Sequence, residues 1–123
     1  MSLTTINILL NNARLHIRSG ELGKGSELLN KAQALDVDNP EILRLLSVVA
    51  AMKFDHLHAL ELIDKVISIA PEHAIAHSNR GNILKELYRF DEALTSLDKA
   101  IELQPDYAEA YNNKGNVLQA SLL

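Results

Sequence analysis

Asparagine recurs in this sequence at a fixed step. Asn11, Asn79 and Asn113 lie in one register of 34 residues, with Leu45 interrupting the series. Asn82 and Asn116 form a second row three residues further on, and that spacing puts both rows on one helix face. A side-chain amide carries donors and an acceptor. A row of amides can therefore pair with the N–H and C=O groups of an extended peptide whatever its side chains. The competing expectation is that the same amides face water or tie neighbouring helices together.

The other side chains able to do chemistry are scattered. His73 and His77 are four apart, a spacing that can set two imidazoles on one helix face as metal ligands. No third ligand accompanies them, and His77 falls in series with Leu9, Leu43 and Tyr111, which is a packing place. His56 and His58 lie at a turn and point apart. The chain has no cysteine, no Gly-x-Ser-x-Gly elbow and no Gly-x-x-x-x-Gly-Lys phosphate loop. Asp91 and Glu92 follow a turn, where acidic residues favour a helix start. The expectation is of no catalytic residue, no metal, no cofactor and no enzymatic activity.

The elements that position these residues follow from composition and period. Of 123 residues, 47% are apolar and 4% aromatic, which suits closely packed helices more than a sandwich of strands. The net charge is −4 and no basic run exists, so nucleic acid is not an expected partner. The longest apolar stretch, Leu45 to Met52, is too short to span a bilayer, and the apolar start, Met1 to Leu10, has no Lys or Arg ahead of it as a signal peptide would. These features point to the cytoplasm and away from a membrane.

Small residues mark a 34-residue repeat. Ala13, Ser47, Gly81 and Gly115 form one series; Gly25, Ala59 and Ala93 another; Ala32, Val66 and Ala100 a third. Pro71 and Pro105 are also 34 apart, with Val37 in the preceding place. Small side chains are needed where two helices cross closely, and Gly81 inside a helix costs about 1 kcal/mol relative to Ala, so close packing has to compensate. The predicted repeats are 6–39, 40–73, 74–107 and a partial 108–123, within one domain spanning 1–123. Each repeat reads as a helix pair: Leu3–Arg18 and Lys24–Leu35, Pro40–Lys53 and Leu57–Ile69, Ala74–Leu87 and Phe90–Leu103, then one helix from Ala108 to about Leu122. Glu27–Lys31 and Glu61–Lys65 are expected as i,i+4 pairs on the solvated face.

Gly81, Tyr88, Phe90, Ala93, Ala100 and Pro105, with Tyr111 and Gly115, resemble the motif of the tetratricopeptide repeat. The first repeat departs most, with Leu22 for the turn aromatic and Val37 for the proline; the second has Ser47 for glycine and Val66 for alanine. The resemblance implies an all-α, right-handed superhelical solenoid of about seven helices, with first helices lining a concave groove that holds a peptide. Ser78–Asn82 and Asn112–Asn116 more narrowly resemble repeats of O-linked N-acetylglucosamine transferases, in which a ladder of asparagines holds the substrate backbone.

On that geometry the peptide-binding groove is expected to contain Asn11, Arg14, Arg44, Leu45, Val48, Asn79, Asn82, Asn112, Asn113 and Asn116. Asn7, Leu10, Arg18, Met52, Ser78, Lys85, Glu86 and Gln119 are assigned to the same groove. Arg14 and Arg44 are candidates to share one carboxylate of a ligand. Relatives that clamp a chaperone's C-terminal carboxylate use places held here by Leu10, Arg14, Leu45, Ile75 and Asn79, most of which do not suit it. The expected function is a non-catalytic protein-interaction module with a protein or peptide partner. The alternatives are a substrate-docking segment of a larger enzyme, such as a glycosyltransferase, and a self-assembling scaffold. Tyr111, Val117, Leu118, Leu122 and Leu123 on the last helix leave an uncapped apolar end, through which a homo-oligomer could form.

Overall fold

The computed structural model describes residues 3–123; Met1 and Ser2, where the apolar N-terminal stretch begins, lie outside the described residues. Among these the chain forms seven helices and no strand: α1 Leu3–Arg18, α2 Leu22–Leu35, α3 Pro40–Met52, α4 His56–Ile69, α5 Ala74–Glu86, α6 Phe90–Leu103 and α7 Ala108–Ser121. Most predicted ends hold to within a residue. The exception is α2, which starts at Leu22 and not Lys24. Gly25 N–H already donates to the Glu21 carbonyl at 3.0 Å, so the first turn closes over Gly23 despite its poor helix propensity.

The short turns inside each pair are built alike. Gly20, Phe54 and Tyr88, 34 residues apart, take left-handed φ values of 80°, 65° and 60°. This closes a six-to-one backbone bond in each turn: Glu21 N–H to His16 O at 2.8 Å, Asp55 N–H to Ala50 O at 2.9 Å, Arg89 N–H to Leu84 O at 2.9 Å. Glycine adopts that conformation freely, whereas a residue with a Cβ loses roughly 1–2 kcal/mol there. Several starts are capped by side chains. Asn39 Oδ1 accepts from the N–H groups of Glu41 and Ile42, ahead of Pro40 in the first turn; Asp55 accepts from His58 N–H; His73 Nδ1 accepts from Ala76 N–H.

Helices pack chiefly with their neighbours in sequence, and the small-residue series sits at the crossings. Ala13, Ser47 and Gly81 are all buried. A Cβ added to Gly81 would stand 2.5 Å from Leu97 Cγ, and one on Gly25 would stand 2.7 Å from Ile17 Cγ1. Ser47 uses its place differently, donating its hydroxyl to Ala59 O at 2.9 Å. The core falls into two clusters that meet on α3. Ile42, Leu45 and Val49 face α1 and α2 with Ile6, Leu10, Ala13 and Leu29, while Leu43 and Ala50 join Ile63, Leu84, Leu97 and Val117.

Polar links also repeat at 34 residues. Asp64 Oδ1 accepts from Arg80 Nε at 2.7 Å, and Asp98 Oδ1 lies 2.8 Å from Lys114 Nζ. His77 Nε2 donates to Pro71 O at 2.8 Å, and the Tyr111 hydroxyl donates to Pro105 O at 2.9 Å. Of the expected surface pairs, Glu27–Lys31 forms at 3.6 Å. Glu61–Lys65 does not: Lys65 instead reaches Asp38 of the preceding repeat at 3.2 Å, and Glu61 lies near His58. No helix among the described residues is long and apolar enough to cross a membrane.

Candidate functional site: a groove along the first helices

One face of α3, α5 and α7 encloses a cavity of about 470 Å³. Ser47, Val48, Ala51 and Met52 supply one wall from α3, with Phe54 and His56 at the adjoining turn. From α5 come Asn79, Asn82, Ile83, Lys85 and Glu86, and from α7 Asn113 and Asn116. Of the residues expected from sequence, Val48, Asn79, Asn82, Asn113 and Asn116 therefore line one space. Asn11, Arg14, Arg44, Leu45 and Asn112 do not line it.

The reasons differ. Leu45 is buried in the cluster between α1 and α3, as is Leu10, so neither offers a surface. Arg14 and Arg44 do share a carboxylate, but it is the protein's own. Arg14 Nη2 donates to Glu41 Oε2 at 2.8 Å, while Arg44 donates to Glu41 Oε1 from Nε at 2.7 Å and to Oε2 from Nη2 at 3.0 Å. Partial burial pushes the Glu41 carboxyl up, and the hydrogen bonds and charges of Arg44 and Arg14 outweigh it, holding the group below the usual carboxylate range. Asn11 sits beside this network, its Oδ1 accepting from Arg14 Nη1. Asn112 is exposed outside the cavity.

The amides divide in the same way. Asn113 is buried and donates from Nδ2 to Ser78 Oγ at 3.0 Å, tying α7 to α5. Asn79 Oδ1 accepts from Arg44 Nη1 at 3.2 Å, tying α5 to α3. Asn82 and Asn116 carry no hydrogen bond to any described residue and stand open in the groove. Asn79 and Asn113 of the first row thus hold helices together, Asn11 bonds within its own helix, and the second row is left without a partner among the described residues. Sequence reasoning missed Ser47, Ala51, Phe54, His56 and Ile83. For Phe54 a signal existed, since it falls in register with Gly20 at a turn.

The histidines already have structural work. His73 caps α5 and His77 is bonded to Pro71 O, so their nitrogens do not converge on a shared point. No cluster of three or more His, Cys, Asp or Glu able to hold a metal occurs among the described residues. His56 Nδ1 is buried without a hydrogen-bond partner.

Residues 81–121 match a sequence family described as the TPR repeat. No curated protein sequence matches the chain. Among solved structures, a mutant O-GlcNAc transferase of Thermobaculum terrenum superposes with a TM-score of 0.91 at 29% identity, over 96% of this chain. The chain spans just 23% of that transferase's length. The first TPR of Spaghetti (RPAP3), bound to the HSP90 peptide SRMEEVD, superposes with a TM-score of 0.88 at 18% identity, over 100% of this chain and 98% of that one. The Sgt2 TPR domain from Aspergillus fumigatus gives 0.87 at 16% identity, over 96% of this chain and 79% of its own. Residues 81–121 match by sequence and the described chain matches by backbone, and its seven helices have the fold of a tetratricopeptide-repeat solenoid.

Proposed function

We propose that the chain is a non-catalytic module that holds an extended peptide segment of a partner protein in the groove between α3, α5 and α7. The observation that carries this reading is the pair Asn82 and Asn116. They are one repeat apart, open to the same cavity and unbonded to any described residue. Each can exchange two hydrogen bonds with a peptide backbone, so the pair reads main chain and not side-chain identity. The Spaghetti domain binds an HSP90 peptide. Here Arg14 is occupied by Glu41, and Leu10 and Leu45 are buried, so a chaperone's C-terminal carboxylate finds no clamp at these places. A cysteine-free chain of this kind suits the reducing cytoplasm.

The test is a randomised peptide array followed by calorimetry on the best binder. The Asn82→Ala/Asn116→Ala double variant should bind roughly 5–100-fold more weakly with its helical spectrum intact. Unchanged affinity in that variant overturns the reading.

Two further readings each have an observation. The likeness to 23% of a transferase favours a substrate-docking segment serving a larger enzyme. Uncovered ends favour a self-assembling scaffold. Ile8 and Leu15 of α1 are 55% and 57% exposed, whereas their repeat counterparts Ile42, Ala76 and Ala110, and Val49, Ile83 and Val117, are buried. On α7, Leu118 is 47% exposed where its counterpart Leu84 is buried. Light scattering over a range of concentrations distinguishes a scaffold from a monomeric module.

A further inference from the structure

The turns after α3 and α5 hold aromatic residues where the fold asks for glycine. Phe54 and Tyr88 adopt φ values of 65° and 60°, while the same place after α1 is Gly20 at 80°. A left-handed backbone is unfavourable for any residue with a Cβ and most unusual for a bulky one. Burial does not compensate here, because Phe54 is 84% exposed and Tyr88 82%. Each ring meets its second neighbour edge-on: Phe54 and His56 with centroids 6.3 Å apart, Tyr88 and Phe90 with centroids 6.1 Å apart. Those contacts leave most of both rings in water. Strained, solvent-exposed aromatic side chains at two successive turns are more than folding needs, and such departures from local preference concentrate at binding sites.

The position of Phe54 gives the strain a use. It lines the same groove as Val48, Ala51, Met52 and Asn82. The two charged residues that line the groove offset each other, with Lys85 Nζ 3.4 Å from Glu86 Oε1. The groove lining therefore offers free amides and an apolar lip, and its Lys85 and Glu86 leave no net charge to select an acidic or basic ligand.

We infer that Phe54 is the docking point for a bulky apolar side chain of an uncharged extended peptide, whose backbone lies along Asn82 and Asn116. Tyr88 repeats the left-handed aromatic turn one repeat further on, outside the lining of this groove. This rests on the groove reading above and adds the class of peptide. Aromatic side chains make efficient anchors because they offer a large rigid surface with little entropy to lose.

The experiment uses fluorescein-labelled Ser-Gly octapeptides carrying two central residues that are both Phe, both Leu, both Lys or both Glu, measured by fluorescence anisotropy. The Phe and Leu peptides should bind about tenfold or more tightly than the Lys and Glu peptides. Phe54→Gly should abolish that preference while melting no lower than the parent protein, because glycine suits the left-handed turn. Phe54→Asn, which tolerates the same backbone, should do likewise. A Phe54→Gly protein that melts lower, showing the ring to be structural, overturns the inference; so does one that keeps the apolar preference, or a parent protein that prefers Lys or Glu peptides. If Asn82→Ala/Asn116→Ala weakens binding and Phe54→Gly does not, the groove reading stands and this inference falls. If no peptide binds, both fall.

Discussion

Gly81 of α5 faces the Leu97 side chain of α6 so closely that a Cβ there would lie 2.5 Å from Cγ and 2.9 Å from Cδ2. Leu97 is fully buried and has little room to move. Gly81→Ala should therefore destabilise the protein, because overpacking of about 1–3 kcal/mol exceeds the gain of about 1 kcal/mol in helix propensity. Gly81→Leu should be worse. Gly115, the counterpart one repeat on, has nothing within 4 Å of a built Cβ. Gly115→Ala should stabilise by about 0.5–1 kcal/mol. Urea denaturation of the pair checks the contrast, and equal effects would contradict the packing described.

The buried and open amides should separate cleanly. Asn113→Ala removes the donor to Ser78 Oγ inside the α5–α7 contact and should cost about 1–2 kcal/mol of stability. Asn116→Ala, three residues on, should leave the melting temperature within about 2–3 degrees, since an exposed unbonded side chain contributes within about 0.5 kcal/mol. Differential scanning calorimetry of the two single variants decides it.

Glu41 makes stability pH-dependent. Its carboxyl is held low by Arg44 and Arg14 against the opposing effect of burial. A lowered folded pKa means that the stabilisation is complete above the ordinary carboxylate value of about 4.3 and is lost as pH falls through the lowered one. Glu41→Gln should be less stable at neutral pH, by on the order of 1 kcal/mol. The difference from the parent protein should shrink as pH drops from about 5 towards 3. A gap that stays constant with pH would show that the network is not the cause.

Arg80 bridges two elements, reaching Asp64 Oδ1 of α4 at 2.7 Å and Ser96 Oγ of α6 at 2.7 Å. Arg80→Lys keeps the charge but not the forked geometry, and should lose about 0.5–1.5 kcal/mol. Lys114, its counterpart, is paired with Asp98 alone among the described residues. Lys114→Arg should therefore change stability little, with thermal melts at low and high salt as the measurement.

The sequence alone determined the repeat, and with it nearly every helix boundary, because the 34-residue series of small residues states where helices must cross. The cap at Asn39 and the helix breaks before Pro71 and Pro105 are local chemistry too, set by residues adjacent in the chain. Register shows which residues are equivalent, but contact depends on how neighbouring helices are offset, and that only the tertiary structure decided. Arg44 reaches Asn79 and Asn113 reaches Ser78 across 35 residues, not 34, and Arg14 finds Glu41 across 27. Those offsets engaged Asn79, Asn113, Arg14 and Arg44 in bonds within the protein, buried Leu45, and left Asn82 and Asn116 open. Phe54 lay in plain view one residue type away from Gly20 in register. That its backbone turns left-handed, and that the turn carries its ring to the groove, depends on how α3 and α4 pack.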